Sequence, residues 1–200
     1  ANHYNSGNTI PCFRDNWDPA TNTHTLVWNA YNAYGVAYEW QIDLCNRIGA
    51  DMWVNIPVAV DNNFIDQLAN LIKNQLNPGL KVYVEYGNET WNTGFCTWVW
   101  SYQKSQELGL QNVDVGFYCE PWRKYTVYAS VRAFQRFESK FGVNSSRLVK
   151  VIGGQVGYHW PGFDFNHMAL GDFAALNNTT INPSQITLNA WAVAPYKGGQ

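Results

Sequence analysis

Glu89 closes a run of strand-forming residues: Val82, Tyr83, Val84 and Tyr86 precede it, and the turn signal Asn77-Pro78-Gly79 comes just before them. That order predicts a strand over residues 81–88 with Glu89 on the rim of a sheet. A carboxyl group in such a place can give or take a proton, and in α/β folds the carboxyl ends of the strands are where loops gather side chains around a ligand. Asn88 adds a carboxamide beside it and Trp91 a flat ring two residues on. An Asn-Glu pair also occurs as a solvated turn. What sets this one apart is a β-branched and aromatic strand before it, Trp91 after it, and segments with helical periodicity on both sides.

The elements that must position Glu89 alternate along the chain. Residues 1–35 are rich in Asn, Thr, Tyr and Gly and read as a loop-rich N-terminal segment. Val36, Tyr38, Trp40, Leu44 and Ile48 predict a helix over 36–48, with Gly49 as its stop. Asp51 to Pro57 reads as a strand. Asp61 or Asn62 then caps the clearest helix, in which Phe64, Ile65, Leu68, Leu71, Ile72 and Leu76 form one apolar stripe. Residues 90–118 form a long connection with one short helix near 97–108, expected to be functional or packed over the site. A helix over 120–141 repeats Tyr125, Tyr128, Ala129, Phe134, Phe137 and Phe141 at turn spacing. A strand over 148–157 carries Tyr158, His159 and Trp160 at its tip, a helix covers 165–176, and a strand over 186–194 ends in Pro195 and Tyr196. Strands that alternate with helices join in parallel, so the fold class is α/β with Glu89 on the common carboxyl-end rim.

Composition narrows the functions. The 200 residues fall within the range of one domain, and a formal net charge of −2 leaves no electrostatic footprint for nucleic acid or an anionic membrane. No apolar run approaches the ~20 residues of a membrane-spanning helix. Ten Trp and twelve Tyr offer rings with polar tips, suited to stacking on sugars as well as to core packing. The chain opens at Ala1 with no initiating Met and no signal-peptide pattern, so a processed or excerpted segment is expected. Cys12, Cys45, Cys96 and Cys119 include no CxxC pair and no His at ligand spacing, so no metal site and no cofactor are expected.

The same cysteines permit disulfides. Cys96 and Cys119 both lie in the long connection, where a bridge would cut the unfolded loop's entropy by ~3 kcal/mol, leaving Cys12 with Cys45. The sequons at Asn144, Asn177 and Asn178 sit in polar, loop-like stretches. Together with few lysines they point to a secreted, extracellular glycoprotein. A fourth sequon, Asn88-Glu89-Thr90, is expected to stay unmodified because Asn88 would face a closed rim.

The strand ending in Asn88 and Glu89 resembles the acid/base strand of the retaining glycoside hydrolases of clan A, (β/α)8 or TIM-barrel enzymes in which an Asn-Glu pair ends the fourth strand. The resemblance implies that the four strands are the third to sixth of a barrel whose other strands lie outside the chain, with residues 36–200 a partial, glycosidase-like barrel. An open doubly wound sheet is the alternative fold; its dinucleotide motif is absent, since Gly153-Gly154-Gln155-Val156-Gly157 lacks the GxGxxG spacing. In the family, two carboxyl groups ~5 Å apart flank the scissile bond. Glu89 matches the general acid/base and Asn88 the amide that bonds the sugar 2-hydroxyl. The nucleophile, a Glu on the seventh strand, has no match here, so the 200 residues alone are expected not to turn over glycosides. Glu85, ~13 Å back along an extended strand, and Glu120, at a helix start, are read as structural.

Further sugar contacts are expected from Trp91, Tyr158, His159, Trp160 and Tyr196 at or beyond strand tips, with a polar contact from Asn55. His159 has no Ser or Cys partner for a triad, and His3, His24 and His167 are scattered. Two functions follow: a secreted retaining glycoside hydrolase acting on a β-glycan polysaccharide or oligosaccharide, or a glycosidase-like module with a binding or structural role among the chains of an extracellular assembly.

Overall fold

Parallel strands alternating with helices set the architecture. In a computed structural model the structure describes residues 17–18, 23–24, 36–93, 95–112, 120–155 and 186–194. Two short strands, β1 (Trp17–Asp18) and β2 (Thr23–His24), pair antiparallel. There follow α1 (Tyr38–Ile48), β3 (Met52–Ile56), α2 (Asn62–Gln75), β4 (Val82–Tyr86), α3 (Cys96–Glu107), a 3-10 turn at Leu110–Asn112, α4 (Pro121–Phe141), β5 (Leu148–Gln155) and β6 (Ala190–Ala194). Strands β3 to β6 form one sheet in chain order, every pair parallel. The α/β class read from the sequence is therefore the observed one.

One face of the sheet is apolar. Met52, Val54 and Ile56 of β3, Val82, Val84 and Tyr86 of β4, and Leu148 and Ile152 of β5 are buried in one core with α2 and α4. Ile65, Ala69 and Ile72 of α2 and Phe134 and Phe137 of α4 are almost fully buried there. Each large side chain so buried contributes about 1.5–3 kcal/mol, and together they fix which face of the sheet the helices cover. Arg136 of α4 grips Asp66 of α2 through two nitrogens, and Lys150 reaches through from β5 to Glu138 of α4.

α2 starts where the sequence placed its cap: Phe64 N–H donates to Asp61 Oδ1 at 2.8 Å. Asp61→Ala is expected to destabilise the protein by about 1 kcal/mol, read as a lower urea midpoint at unchanged slope. α4 begins at Pro121, whose missing N–H costs nothing in a first turn, and ends at Gly142 with φ +97°.

α1 forms as expected and stops at left-handed Gly49, while the last strand starts later than expected. In α1 the side chains of Trp40, Leu44 and Ile48 point outward, and the helix buries Ile42 together with part of Tyr38 and Cys45. Residues 38 and 40 lie ~200° apart on a helix, and both faces of this one are apolar, so periodicity alone could not choose between them. The contact that decides is Tyr38 edge-on to Phe64 of α2, ring centroids 6.1 Å apart. The last strand begins at Ala190, not at 186; just before it Asn189 meets Lys150 twice, its backbone N–H donating to Lys150 O at 3.1 Å and its side-chain Oδ1 accepting from Lys150 N–H at 3.0 Å. The helix expected over 165–176 lies outside the described residues.

Candidate functional site

The turn that carries Glu89 grows directly out of β4. Tyr86 anchors the strand's end, its hydroxyl donating to the Val58 carbonyl at 2.9 Å, and burial beside Tyr125 holds its phenol well above the usual range and therefore neutral. Gly87 N–H extends the ladder to Ile56 O at 2.8 Å. At Gly87 the backbone turns left-handed, φ +72°, and a Cβ there would stand 2.6 Å from Thr90 Cγ2 and 2.9 Å from Val58 Cγ1. Both the conformation and the space demand glycine.

Glu89 is itself left-handed, φ +48°, and is the one described residue other than glycine with that backbone. For a residue with a Cβ the conformation costs on the order of 1–3 kcal/mol, so the surroundings must hold it. They do so at several points. Asn92 donates its backbone N–H to Glu89 O at 2.9 Å and its Nδ2 to Glu89 Oε2 at 3.0 Å. Thr97, in the first turn of α3, donates to Asn88 O at 3.1 Å, with Glu89 O 3.4 Å away. α3 is docked in turn on α4 through buried Trp100, whose Nε1 donates to Tyr125 Oη at 3.3 Å. The result is a half-buried carboxyl group fixed on the carboxyl rim of the sheet.

Asn88 is exposed, not sheltered behind a closed rim. The left-handed step at Gly87 breaks the strand's alternation before Asn88, and the steric basis for keeping glycan off its sequon goes with it. Thr90, the hydroxyl residue of that sequon, is buried. Asn144 is exposed in the turn after α4, as expected.

Below the rim the sheet's second face, the one away from α2 and α4, carries Trp53 and Asn55 of β3, Tyr83 and Glu85 of β4, and Val149, Val151 and Gly153 of β5. Glu85 is only 8% exposed. Its Oε2 accepts from Trp53 Nε1 at 3.0 Å and from Asn55 Nδ2 at 3.1 Å. Its Oε1 occupies the space a side chain on Gly153 would need, 2.0 Å from an ideal Cβ, and the ring of Trp91 stands 3.5 Å from the same point. Trp53 also stacks on Tyr83, centroids 5.4 Å apart. The sequence set Glu85 aside as structural, yet it sits at the hub of the polar face. The available signal was alternation: Tyr83, Glu85 and Gly87 share a face that excludes Val82, Val84 and Tyr86.

Burial raises the Glu85 carboxyl above the usual carboxylate range, and the hydrogen bonds from Trp53 and Asn55 oppose that only in part. A raised acid binds its proton more tightly folded than unfolded. Its contribution to stability is therefore fully present below the unfolded value and is lost as pH rises through the folded one. Glu85→Gln, neutral throughout, is expected to unfold at higher urea than the parent near pH 7 and to lose that advantage below about pH 4. A difference in midpoint that ignores pH would remove Glu85 ionisation from the account.

Asn55 lies where the sequence put it, near the tip of β3, but the hydrogens on its Nδ2 serve Glu85 and the Gly87 carbonyl, the latter at 2.7 Å. Trp91 is half-buried over Gly153. Tyr158, His159, Trp160, Tyr196, Asn177, Asn178, Cys12 and Cys119 lie outside the described residues, as does the side chain of Cys96. Cys45 is the one cysteine whose side chain lies among the described residues, its thiol raised by burial and by Asp51, and both expected pairings, Cys12 with Cys45 and Cys96 with Cys119, fall on residues outside them. No group of three His, Cys, Asp or Glu among the described residues could hold a metal ion, and no described helix is long and apolar enough to cross a membrane.

Chemically, the rim offers one anchored carboxyl group beside an exposed carboxamide, with a second, buried carboxyl group behind them. Comparison with protein-family models, curated proteins and solved structures finds no match.

Proposed function

We propose that this chain carries the acid/base side of a secreted retaining glycoside hydrolase of the (β/α)-barrel kind, acting on a β-glycan, with Glu89 as proton donor and then base. The observation that carries this is Glu89 itself: a strained carboxyl-bearing residue, anchored by Asn92 and Thr97, at the carboxyl rim of an all-parallel sheet. Strands in chain order, with α1 packed on α2 and α2 on α4, favour a barrel segment over a doubly wound sheet, in which the strand order reverses at a switch point.

In the first step Glu89 gives its proton to the glycosidic oxygen as the bond to the anomeric carbon breaks. In the second it takes a proton from the water that attacks the glycosyl intermediate. Asn88, exposed beside it, suits the sugar 2-hydroxyl. Glu85 is a poor nucleophile, since its carboxyl group is buried, held by Trp53 and Asn55, and kept toward its neutral form. The nucleophile is assigned to a strand beyond those described.

The test is the intact protein on a panel of β-glycans, with product anomers followed by NMR from the first minutes. Release of the β-anomer first supports the proposal. Inversion, or no hydrolysis of any β-glycan, overturns it; oligosaccharide binding without turnover would instead identify a binding module.

A further inference from the structure

We infer that Asn55 is a positioning residue for Glu89, tying the turn that carries the acid to the Glu85 carboxyl across the sheet. The inference rests on the assignment of Glu89 above. Asn55 faces Glu85 in the register of β3 and β4, and its Nδ2 carries two hydrogens. One goes to Glu85 Oε2 at 3.1 Å, the other to Gly87 O at 2.7 Å. The second bond fills a specific need. With φ at +72° Gly87 leaves the strand, so a side chain takes its carbonyl where a continuing strand would use the ladder.

The first bond fixes the carboxamide that makes the second. Glu85 Oε2 is held on its other side by the indole of Trp53 at 3.0 Å, and its Oε1 fills the space left by Gly153. Asn55 therefore has one rotamer that satisfies both acceptors. From Gly87 the chain runs through Asn88 to Glu89, whose carbonyls are held from the far side by Thr97 of α3 and by Asn92. The turn is thus pinned at its start from β3 and at its end from α3. Removing Asn55 frees the start, and with it the strained backbone at Glu89.

The experiment uses amide hydrogen exchange and NMR on the full chain, with hydrolysis by the intact protein alongside. In Asn55→Ala, amides of residues 87–92 should exchange about five- to tenfold faster while those of α2 and α4 hold, and the Glu89 carboxyl carbon should shift. Glu85→Leu should reproduce this. Glu85→Gln, whose amide oxygen can still accept from Asn55 and Trp53, should keep the turn near the parent's exchange. On a glycan that the intact protein hydrolyses, Asn55→Ala should lower kcat by ~10- to 10²-fold at little change in KM. Unchanged exchange at 87–92, or faster exchange spread equally over the whole chain, overturns the inference. The assignment of Glu89 fails separately, if Glu89→Gln leaves hydrolysis untouched while the exchange pattern appears as stated.

Discussion

Glu89→Gln is expected to cut hydrolysis of an unactivated β-glycan by about 10²–10⁴-fold, the range that a positioned general acid contributes. Gln has the shape of Glu and its amide oxygen can still accept from Asn92 Nδ2, so the turn should survive the exchange. What Gln lacks is an acidic proton. A sugar leaving group departs as a strongly basic alkoxide unless it is protonated as the bond breaks, so the loss should fall on the first step. An aryl glycoside with an acidic phenol needs no such help. For that substrate bond cleavage should be nearly unchanged, and the remaining defect should lie in the second step, where the base that activates water is gone. The kcat/KM of Glu89→Gln on the glycan and on a dinitrophenyl glycoside, which reports the bond-breaking step without the second, gives the comparison. Equal losses on both would mean that Glu89 is not the acid, whatever else it holds in place.

That Glu89 stands on the rim was legible because everything that puts it there is local. The strand formers 82–86, the Asn77-Pro78-Gly79 stop and the Asp61 cap with its apolar stripe act within one turn or one strand, and each appears as written. The Glu85 hub was not legible. Its partners Trp53 and Asn55 lie 32 and 30 residues earlier, and the gap it fills belongs to Gly153 on another strand. Register decides such contacts, and period-two alternation gives the face without giving the neighbour. α1 and its Gly49 stop were legible, but its buried side was not, for a related reason: a helix apolar on two sides is assigned that side by what it meets, and it meets Phe64 through Tyr38. Asn189 belongs to the same class, since nothing in its surroundings announces that its side chain will take a backbone N–H of β5. The polar half of the site is written in pairings between strands, the supporting half in runs along the chain.

The largest stability effect is expected beneath the sheet. Lys150 Nζ meets Glu138 Oε1 at 2.5 Å, with side chains 5% and 9% exposed, joining β5 to α4 in the layer between sheet and helix. Desolvating two charges is costly, and their attraction offsets that only while both are present. Lys150→Met fits an unbranched apolar chain into the same channel but strands the Glu138 carboxyl without its cation. The expected loss is about 3–5 kcal/mol, a large fraction of the stability of an ordinary domain. Replacing both residues, Lys150→Met with Glu138→Leu, removes the desolvation cost together with the attraction. The double variant should therefore return close to the parent or exceed it by about 1–4 kcal/mol. Urea unfolding of the parent, the two single variants and the double variant at neutral pH completes the cycle. If the single losses simply add in the double variant, the two groups are not coupled, and the packing of their side-chain stems, not the ion pair, joins β5 to α4.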